Sequence, residues 1–368
     1  MSDALELEVA GRKVRVSSPD KVCFPKRGFT KRDVVDYYVA VGDGIMRALR
    51  DRPTTLQRFP DGIEGESFYQ KRVPAKGVPA WLDTAEIAFP SGRKAQELCP
   101  TDLAHVVWAA QMNAVVFHAW PVRRAHVDHP DEMRIDLDPQ PGTDFADAAR
   151  AAGELHAILD ELGYTGWPKS SGGRGIHVYV RIRPQWTFIE VRRAVIALAR
   201  ELERRRPDQV TTKWWKEERG EKVFVDFNQA NRDRTIASAF SPRPLPGAPV
   251  SMPVAWDDLT DVAPADFTVR TVPALVAEGT DPWRSMPDSV GTIDGALEWW
   301  ERDVADGLPE LNFPPDYPKM PGEPPRVQPS KKKYDDDADY LPDEGGYLRD
   351  NPQEPPGGWD SPHRRRRR

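Results

Sequence analysis

The sequence has few cysteines and no long apolar run. Cys23 and Cys99 are its only cysteines, too few for a disulfide framework or a four-thiolate zinc site, so we expect a protein of the reducing cytoplasm. No run of 18 apolar residues is present, and we therefore expect no membrane span and no membrane partner. The N-terminus also lacks the basic-then-apolar layout of a secretion signal, which argues against export.

The chain also lacks an overall positive charge: its 368 residues carry a net charge of −6. The basic residues are nevertheless unevenly spread, because residues 12–32 hold eight Lys or Arg against one acid, Asp20. Local patches decide phosphate binding more than the total does, so nucleic acid is not excluded as a partner. In most proteins, however, such a cluster is simply a solvated surface.

The last part of the chain is poor in aliphatic residues. Residues 314–368 contain no Ile and only three Val or Leu, against 12 prolines, 11 basic and 11 acidic residues. Such a segment cannot bury enough apolar surface to offset its chain entropy, and we predict that it is a disordered, proline-rich charged tail.

Hydrophobic periodicity predicts alternating strands and helices before residue 310. An opening hairpin is followed by Thr30, a predicted N-cap for one helix over residues 31–50. Further helices are predicted over 101–116, 145–162 and 189–206, and strands over 115–122, 132–139, 175–182 and 222–229. This βαβαβ-like order predicts an α/β or α+β core built on a mixed sheet.

Two aspartates alternate along one predicted strand, in the sequence Arg-Ile-Asp-Leu-Asp-Pro. Asp136 and Asp138 are two residues apart, so their side chains would project from the same face. Carboxylates that close repel one another unless a cation lies between them, and hard oxygen ligands suit Mg²⁺ or Mn²⁺. A strand end with two solvated acids is the simpler alternative.

A glycine-rich turn precedes another predicted strand, in the sequence Ser-Ser-Gly-Gly-Arg-Gly-Ile-His. Glycines allow the backbone to approach a phosphate, while Ser171, Arg174 and His177 supply donors. The order is turn and then strand, so this is not a Walker loop, which runs from strand to helix. A tight turn with a half-buried histidine explains the pattern equally well.

A third acid, Asp226, lies in the apolar run Val-Phe-Val-Asp-Phe. It would be costly in a core unless paired or bound to metal, and it is uninformative if it faces solvent. Taken together, Asp136, Asp138 and Asp226 suggest a three-carboxylate, two-metal site beside triphosphate ligands that include Arg243. Two metal ions can activate a 3′-hydroxyl and stabilise the pyrophosphate leaving group, which is nucleotidyl transfer.

The order of these three motifs resembles the archaeo-eukaryotic primase superfamily, and most closely the polymerase domain of bacterial ligase D. The resemblance covers roughly residues 10–290. It implies a two-part α+β primase–polymerase fold with flanking helices, whose catalytic half is similar to an RNA-recognition module. The fold would occupy residues 1–310, with an end-binding part over about 1–110 and a catalytic part over about 111–310.

The resemblance also assigns roles to individual residues. Asp136, Asp138 and Asp226 would be the catalytic metal ligands, and Lys21 and Lys31 would hold a DNA 5′-phosphate. Phe68 and Tyr69 would stack on the template strand. The remaining matches would bind the nucleotide, and they are His118, Ser171, Arg174, His177, Gln229 and Arg243.

Three positions depart from the family pattern. Arg174 and Tyr69 stand where the family usually has Lys and Phe, and Ser18 stands where an Asn contact to the end phosphate is expected. Arginine keeps the charge but changes the donor geometry, which puts nucleotide preference in doubt. Tyrosine preserves a stacking face.

The resemblance implies a DNA repair polymerase of non-homologous end joining. It would add nucleotides, preferably ribonucleotides, at gaps or breaks with a 5′-phosphate, using two Mn²⁺ or Mg²⁺ ions. Its partners would be gapped or broken DNA, NTP or dNTP, Ku and a separate ATP-dependent DNA ligase, which places it in the cytoplasm at the nucleoid. A primase that starts chains de novo and a non-catalytic DNA-end scaffold are the alternatives.

Overall fold

The computed structural model describes residues 4–88, 94–232, 234–309 and 311. The predicted disordered tail, 314–368, lies outside the described residues. The described strands are β1 Leu5–Val9, β2 Arg12–Val16, β3 Val22–Phe24, β4 Phe29–Thr30, β5 Thr54–Arg58, β6 Phe68–Gln70, β7 Thr84–Ala88, β8 Lys94–Leu98, β9 Ala114–Ala119, β10 Glu132–Pro139, β11 Gly166–Ser170, β12 Ile176–Arg181, β13 Val210–Thr211, β14 Val223–Val225 and β15 Ile236–Ala237. The described helices are α1 Lys31–Ala40, α2 Gly42–Leu49, α3 Leu103–Gln111, α4 Phe145–Glu161, α5 Phe188–Arg205, α6 Val272–Ala277 and α7 Asp294–Ala305.

Two larger sheets organise the molecule. One has the strand order β15-β9-β5-β8-β7, with β6 added to β5, and all its pairs are antiparallel. The other has the order β11-β12-β10-β14-β13, in which only β13 and β14 run parallel. With the helices, this makes an α+β fold that contains a mixed sheet, as predicted.

Strand β10 shows why the second sheet has one core face and one polar face. Met133, Ile135 and Leu137 are fully buried, and α4 and α5 pack against this strand. Burial of each of these side chains contributes about 1.5–3 kcal/mol. Because strand side chains alternate, Asp136 and Asp138 lie on the opposite face, which is the face of the candidate site.

The predicted helix over 31–50 is wrong, because two helices occupy this range. Thr30 is the predicted N-cap, and it forms a capping box with Asp33. Helix α1 ends where Val41 leaves helical geometry (φ −97°, ψ 20°). Glycine is a poor helix former, and the lack of a side chain at Gly44 lets α2 approach the Phe240 ring, which would lie 2.5 Å from a Cβ atom at this position.

Two other predicted boundaries are also wrong. Helix α3 ends at Gln111 rather than residue 116, since Asn113 adopts a left-handed conformation (φ 61°) that asparagine tolerates. Strand β14 ends at Val225, and Asp226 caps the short 3-10 turn that follows it by accepting a hydrogen bond from the Asn228 N–H. Within the described ranges, no helix is long and apolar enough to span a bilayer.

Candidate active site between the two sheets

Four polar residues form a row across the second sheet. Lys169, His177 and Asp136 are directly opposed on β11, β12 and β10. Asp226 continues the row, because its backbone N–H donates to the Asp136 carbonyl at 2.9 Å. Asp138 lies two residues farther along β10 on the same face. The three predicted catalytic aspartates therefore meet at one place.

The environment of Asp136 disfavours its charge. Its side chain is 16% exposed, and its Oδ1 lies 3.4 Å from His177 Nε2. Burial, with the nearby carboxylates of Asp226 and Asp138, raises the pKa of Asp136 well above its usual range, against opposing effects of Lys169 and Arg243. Burial also raises the pKa of Asp226, although the Asn228 N–H partly offsets it. Such clustered acids are stabilised by a cation.

The donor set of these aspartates fits a divalent metal ion. Carboxylate oxygens are hard ligands that suit Mg²⁺ and Mn²⁺, and mutual repulsion of the carboxylates would be relieved by a cation. In the part of the chain that the structure describes, no group of three His, Cys, Asp or Glu side chains is already arranged as a metal cage. The fit therefore rests on the chemistry and shared face of the three acids.

The glycine-rich loop between β11 and β12 is ordered by its serine hydroxyls. Ser171 Oγ accepts hydrogen bonds from the N–H groups of Gly173 and Gly175, each at 3.1 Å. Both bonds use oxygen lone pairs, so the hydroxyl proton remains available to donate. Gly172 is left-handed (φ 73°), and a Cβ atom on Gly175 would lie 2.8 Å from the Leu137 carbonyl oxygen. These glycines are required by backbone conformation and close approach.

Arg243 ties this loop to the aspartates. Its Nη1 donates to the Ser171 carbonyl at 2.9 Å, and its charge acts on both Asp136 and His177. Gln229 donates through Nε2 to Asp226 at 3.2 Å. Four of the predicted nucleotide-binding residues, Ser171, His177, Gln229 and Arg243, are thus beside the predicted metal ligands.

Arg174 is more peripheral than the other predicted nucleotide ligands. Its side chain is exposed, with one long contact of 3.4 Å from Nη2 to the Pro139 carbonyl. It lines a cavity of about 620 Å³ together with Gly172, Gly173 and the first residues of α4. Arg27, from the basic segment, reaches the same cavity.

His118 reaches the site from the opposite sheet. It lies on β9, is 8% exposed, and its Nε2 has no hydrogen-bond partner among the described residues. Burial and the cations Arg243 and Lys169 lower the pKa of His118 to about 3, so the ring is neutral at physiological pH. The Tyr69 ring stands edge-on to it at 5.4 Å.

The predicted template-stacking pair lies on the short strand β6. Phe68 is 45% exposed and Tyr69 is 58% exposed, so neither ring belongs to the core. Arg58 covers the Phe68 ring at 5.1 Å, whereas Tyr69 turns towards His118 and Arg243. The two rings therefore point in different directions, and of the two it is Tyr69 that contacts a predicted nucleotide ligand, His118.

Lys21 and Lys31 are brought together by the ribbon of β3 and β4. The Lys31 N–H donates to the Lys21 carbonyl at 2.8 Å. The Lys21 ammonium pairs with Asp61 at 3.2 Å. Lys31 is only 4% exposed, and its Nζ donates to the Ser17 carbonyl at 2.6 Å. Burial, with the positive charge of Lys21 nearby, lowers the pKa of Lys31.

One residue of the site carries no sequence signal. Lys169 precedes the Ser-Gly loop, where a lysine would ordinarily be read as a surface residue. It is nevertheless fully buried, and its Nζ lies 2.8 Å from His177 Nδ1. Trp214, in the charged stretch before β14, packs against Phe224 and Phe227.

The chain matches known proteins over most of its length. The family model described as LigD, primase-polymerase domain, matches residues 30–283. The multifunctional non-homologous end joining protein LigD of Pseudomonas aeruginosa is 30% identical over 77% of this chain and 34% of that protein. The bifunctional Bacillus subtilis protein is 32% identical over 71% of this chain and 42% of that protein. The chain thus spans about a third to two fifths of these relatives.

A solved structure agrees with these matches. The polymerase domain of Mycobacterium tuberculosis ligase D in complex with DNA superposes with a TM-score of 0.69 and 27% identity, over 76% of this chain and 99% of that domain. The fold and the site define a nucleotidyltransferase of the primase–polymerase type, a class that depends on divalent metal. Within that class, the chain belongs to the family of LigD primase-polymerase domains.

Proposed function

We propose that this chain is a DNA repair polymerase that acts in non-homologous end joining. It would add nucleotides, preferably ribonucleotides, to a 3′-hydroxyl at a short gap or break that carries a 5′-phosphate. The observation that supports this most is the placement of Asp136, Asp138 and Asp226 on one sheet face beside the Ser171 loop. The DNA complex of the similar polymerase domain supports DNA as the polymer.

Asp136, Asp138 and Asp226 would hold two divalent ions, Mn²⁺ or Mg²⁺. When bound, these ions would lower the pKa of the attacking 3′-hydroxyl and stabilise the charge of the pyrophosphate leaving group. Gln229 donates to Asp226 and so orients a carboxylate that burial would otherwise leave poorly stabilised.

The chain's own donors would orient the triphosphate. The Ser171 hydroxyl has a proton to give, because its oxygen accepts from the loop N–H groups. Arg243 is 2.9 Å from the loop carbonyl of Ser171 and supplies a fixed positive charge. His118 presents a neutral ring with a buried, unpaired Nε2. Arg174 would act at the outer edge, since it is exposed.

Lys21 and Lys31 would recognise the 5′-phosphate at the far side of the gap. Lys21 is paired with exposed Asp61, and such surface pairs are weak enough to exchange for a phosphate. Lys31, held at the Ser17 carbonyl, would supply the buried charge. Phe68 and Tyr69 offer exposed rings on the strand between this region and the nucleotide site, where a template base could stack. Ku and a separate ATP-dependent ligase would be the protein partners.

Extension of a gapped duplex tests this proposal. A labelled primer opposite a single templating adenine, with or without a 5′-phosphate across the gap, is incubated with UTP or dTTP and Mn²⁺ or Mg²⁺. We expect extension that favours UTP, Mn²⁺ and the phosphorylated gap. Products formed without primer would identify a de novo primase. DNA binding without extension under any of these conditions would leave a scaffold and overturn the proposal.

A further inference from the structure

A cavity beside the glycine-rich loop has no part in the chemistry described so far. Its volume is about 620 Å³, which lies within the ~300–1,000 Å³ of pockets that bind small molecules. We propose that it holds the second nucleoside of a dinucleoside polyphosphate, so that this chain uses such molecules as nucleotide donors. This extends the proposed function and rests on it, because Arg174 must meet the outer end of the donor's phosphate chain.

The cavity begins where the predicted nucleotide ligands end. Gly172, Gly173 and Arg174 form part of its wall. The Arg174 guanidinium also donates through Nη2 to the Pro139 carbonyl at 3.4 Å, and Pro139 directly follows Asp138 on β10. Arg174 therefore connects the cavity with the end of β10 that carries the predicted metal ligands. A group attached to the outermost phosphate of a bound triphosphate would pass Arg174 and enter the cavity.

Two arginines give the cavity a positive charge. Arg27 reaches it from the turn between β3 and β4, and Arg174 from the glycine-rich loop. Both residues are exposed, and neither guanidinium is paired with a carboxylate in the described part of the chain. Asp144 is the one acid among the described lining residues, and its Oδ1 already accepts from two N–H groups at the start of α4. Guanidinium groups bind phosphate oxygens through paired N–H donors, so the cavity complements additional phosphate.

The rest of the lining is largely apolar. It includes one half-buried aromatic ring and several aliphatic side chains, namely Phe145, Leu245, Pro249, Val262 and Pro264. Aromatic and apolar surface holds a nucleobase by stacking and burial, whereas a bare phosphate gains nothing from it. A ligand that satisfies both parts of the cavity carries phosphates and a flat base, which describes a nucleotide.

The reaction with such a donor balances without a further reactant. The primer 3′-oxygen forms a bond to the phosphorus of the inserted nucleotide, and the bond from that phosphorus to the rest of the phosphate chain breaks. When four phosphates join the two nucleosides, the leaving group is a nucleoside triphosphate in place of pyrophosphate, and the hydroxyl proton passes to solvent. The bond that forms is the same as with an ordinary nucleoside triphosphate, and the donors differ in the leaving group.

Uridine–adenosine tetraphosphate tests the use of this kind of donor. The compound is treated with alkaline phosphatase and repurified, which removes contaminating UTP because UTP has a free terminal phosphate and the tetraphosphate has none. Opposite a single templating adenine in a 5′-phosphorylated gap with Mn²⁺, we expect insertion of uridine, release of one ATP for each insertion, and a KM no higher than that of UTP. Insertion from UTP alone, or a higher KM for the tetraphosphate, would overturn the proposal and leave the proposed function intact.

Two neighbouring residues supply the variant and its matched control. Arg27→Ala removes a charge from the cavity, whereas Lys26→Ala removes one from the same turn at an exposed residue outside the lining. We expect Arg27→Ala to raise the KM for the tetraphosphate by about 10- to 100-fold, the effect of a lost hydrogen bond to a charged group, and to leave the KM for UTP unchanged. Lys26→Ala should change neither value. Equal changes for the two donors in Arg27→Ala would contradict a second nucleoside in the cavity.

Binding without DNA tests the cavity separately from the polymerase reaction. In calorimetric titrations with Mg²⁺, the wild-type chain should bind the tetraphosphate at least about 10-fold more tightly than UTP, and Arg27→Ala should remove this difference. Equal affinities in the wild type would overturn the proposal whether or not UTP is inserted. A difference that persists in Arg27→Ala would place the second nucleoside elsewhere and would overturn it as well.

Discussion

Replacement of Asp136 by asparagine should abolish nucleotide insertion and yet stabilise the metal-free protein. Asp136 is buried among like charges, which raise its pKa. An ionised carboxylate there opposes folding, whereas an amide of the same shape does not. Active-site residues that are arranged for chemistry commonly reduce stability in this way.

The size of the effect follows from the register of the sheet. Asp226 lies beside Asp136 across the sheet, and side chains in such positions lie about 5 Å apart. Two carboxylate charges at that distance repel by about 3 kcal/mol at an effective dielectric constant of 20. Lys169 and Arg243 offset part of this repulsion, so we expect Asp136→Asn to raise the free energy of unfolding by about 1–3 kcal/mol at pH 7.5.

The increase in the free energy of unfolding caused by Asp136→Asn should become larger as the pH rises. The pKa of Asp136 is higher in the folded than in the unfolded protein, so the carboxylate destabilises the fold progressively as the pH rises above about 4, the ordinary aspartate value. The advantage of Asp136→Asn should therefore be small near pH 4 and increase towards pH 7.5. Mg²⁺ should reduce it, because the ion stabilises only a site with its carboxylates intact.

Urea unfolding in EDTA at several pH values measures these differences. The matched control is Asp138→Asn, the same substitution two residues along the same strand, at a side chain that is exposed. It should abolish insertion as well, but it should change stability much less. Asp136→Asn that is less stable than wild type at pH 7.5, or a gain that grows towards acid pH, would refute the electrostatic reasoning.

Two further changes test the phosphate site and the loop. Lys21→Met with Lys31→Met should reduce the preference for a phosphorylated gap by about 10- to 100-fold, since hydrogen bonds to charged groups contribute about 1.5–3 kcal/mol. Insertion rates on gaps with and without the 5′-phosphate measure this preference, and Lys26→Ala, at an exposed residue, is the control. An undiminished preference would place the phosphate elsewhere. Gly175→Ala should raise the nucleotide KM by displacing the loop. Gly153→Ala, on α4 with no atom near its Cβ position, should leave KM unchanged and raise the free energy of unfolding by about 0.5–1 kcal/mol. Equal KM values in steady-state assays of both variants would contradict the role of the loop.

Local patterns in the sequence predicted much of the fold. The capping residue Thr30, the alternation of β10 and the long amphipathic helices α4 and α5 are encoded by neighbouring residues, and they were predicted correctly. The break at Val41 was missed, because the apolar periodicity continues through it, and the close approach of Gly44 to Phe240, almost 200 residues away, has no local signal. No periodicity within a window of 20 residues contains such information.

The candidate site likewise has parts that local sequence predicts and parts that depend on distant residues. Spacing placed Asp136 and Asp138 on one face. Residue chemistry indicated Asp226 and the phosphate donors Ser171, Arg174, His177 and Arg243, and the resemblance supplied the remaining predicted residues. The contact of Tyr69 with His118 depends on the strand order of a sheet, and the burial of Lys169 depends on groups from Ala237 and Ser251. These relationships are long-range, so a lysine or a tyrosine at those positions gave no local signal of its role.

We propose that the three aspartates carry metal-dependent nucleotide insertion while other surfaces hold the DNA. Asp226→Asn tests it most directly, with single-nucleotide extension of a 5′-phosphorylated gap and fluorescence anisotropy of the same DNA measured in parallel. We expect extension to be lost with Mn²⁺ and with Mg²⁺, while the affinity for the gapped DNA stays close to that of the wild type. Extension that persists in Asp226→Asn would contradict it.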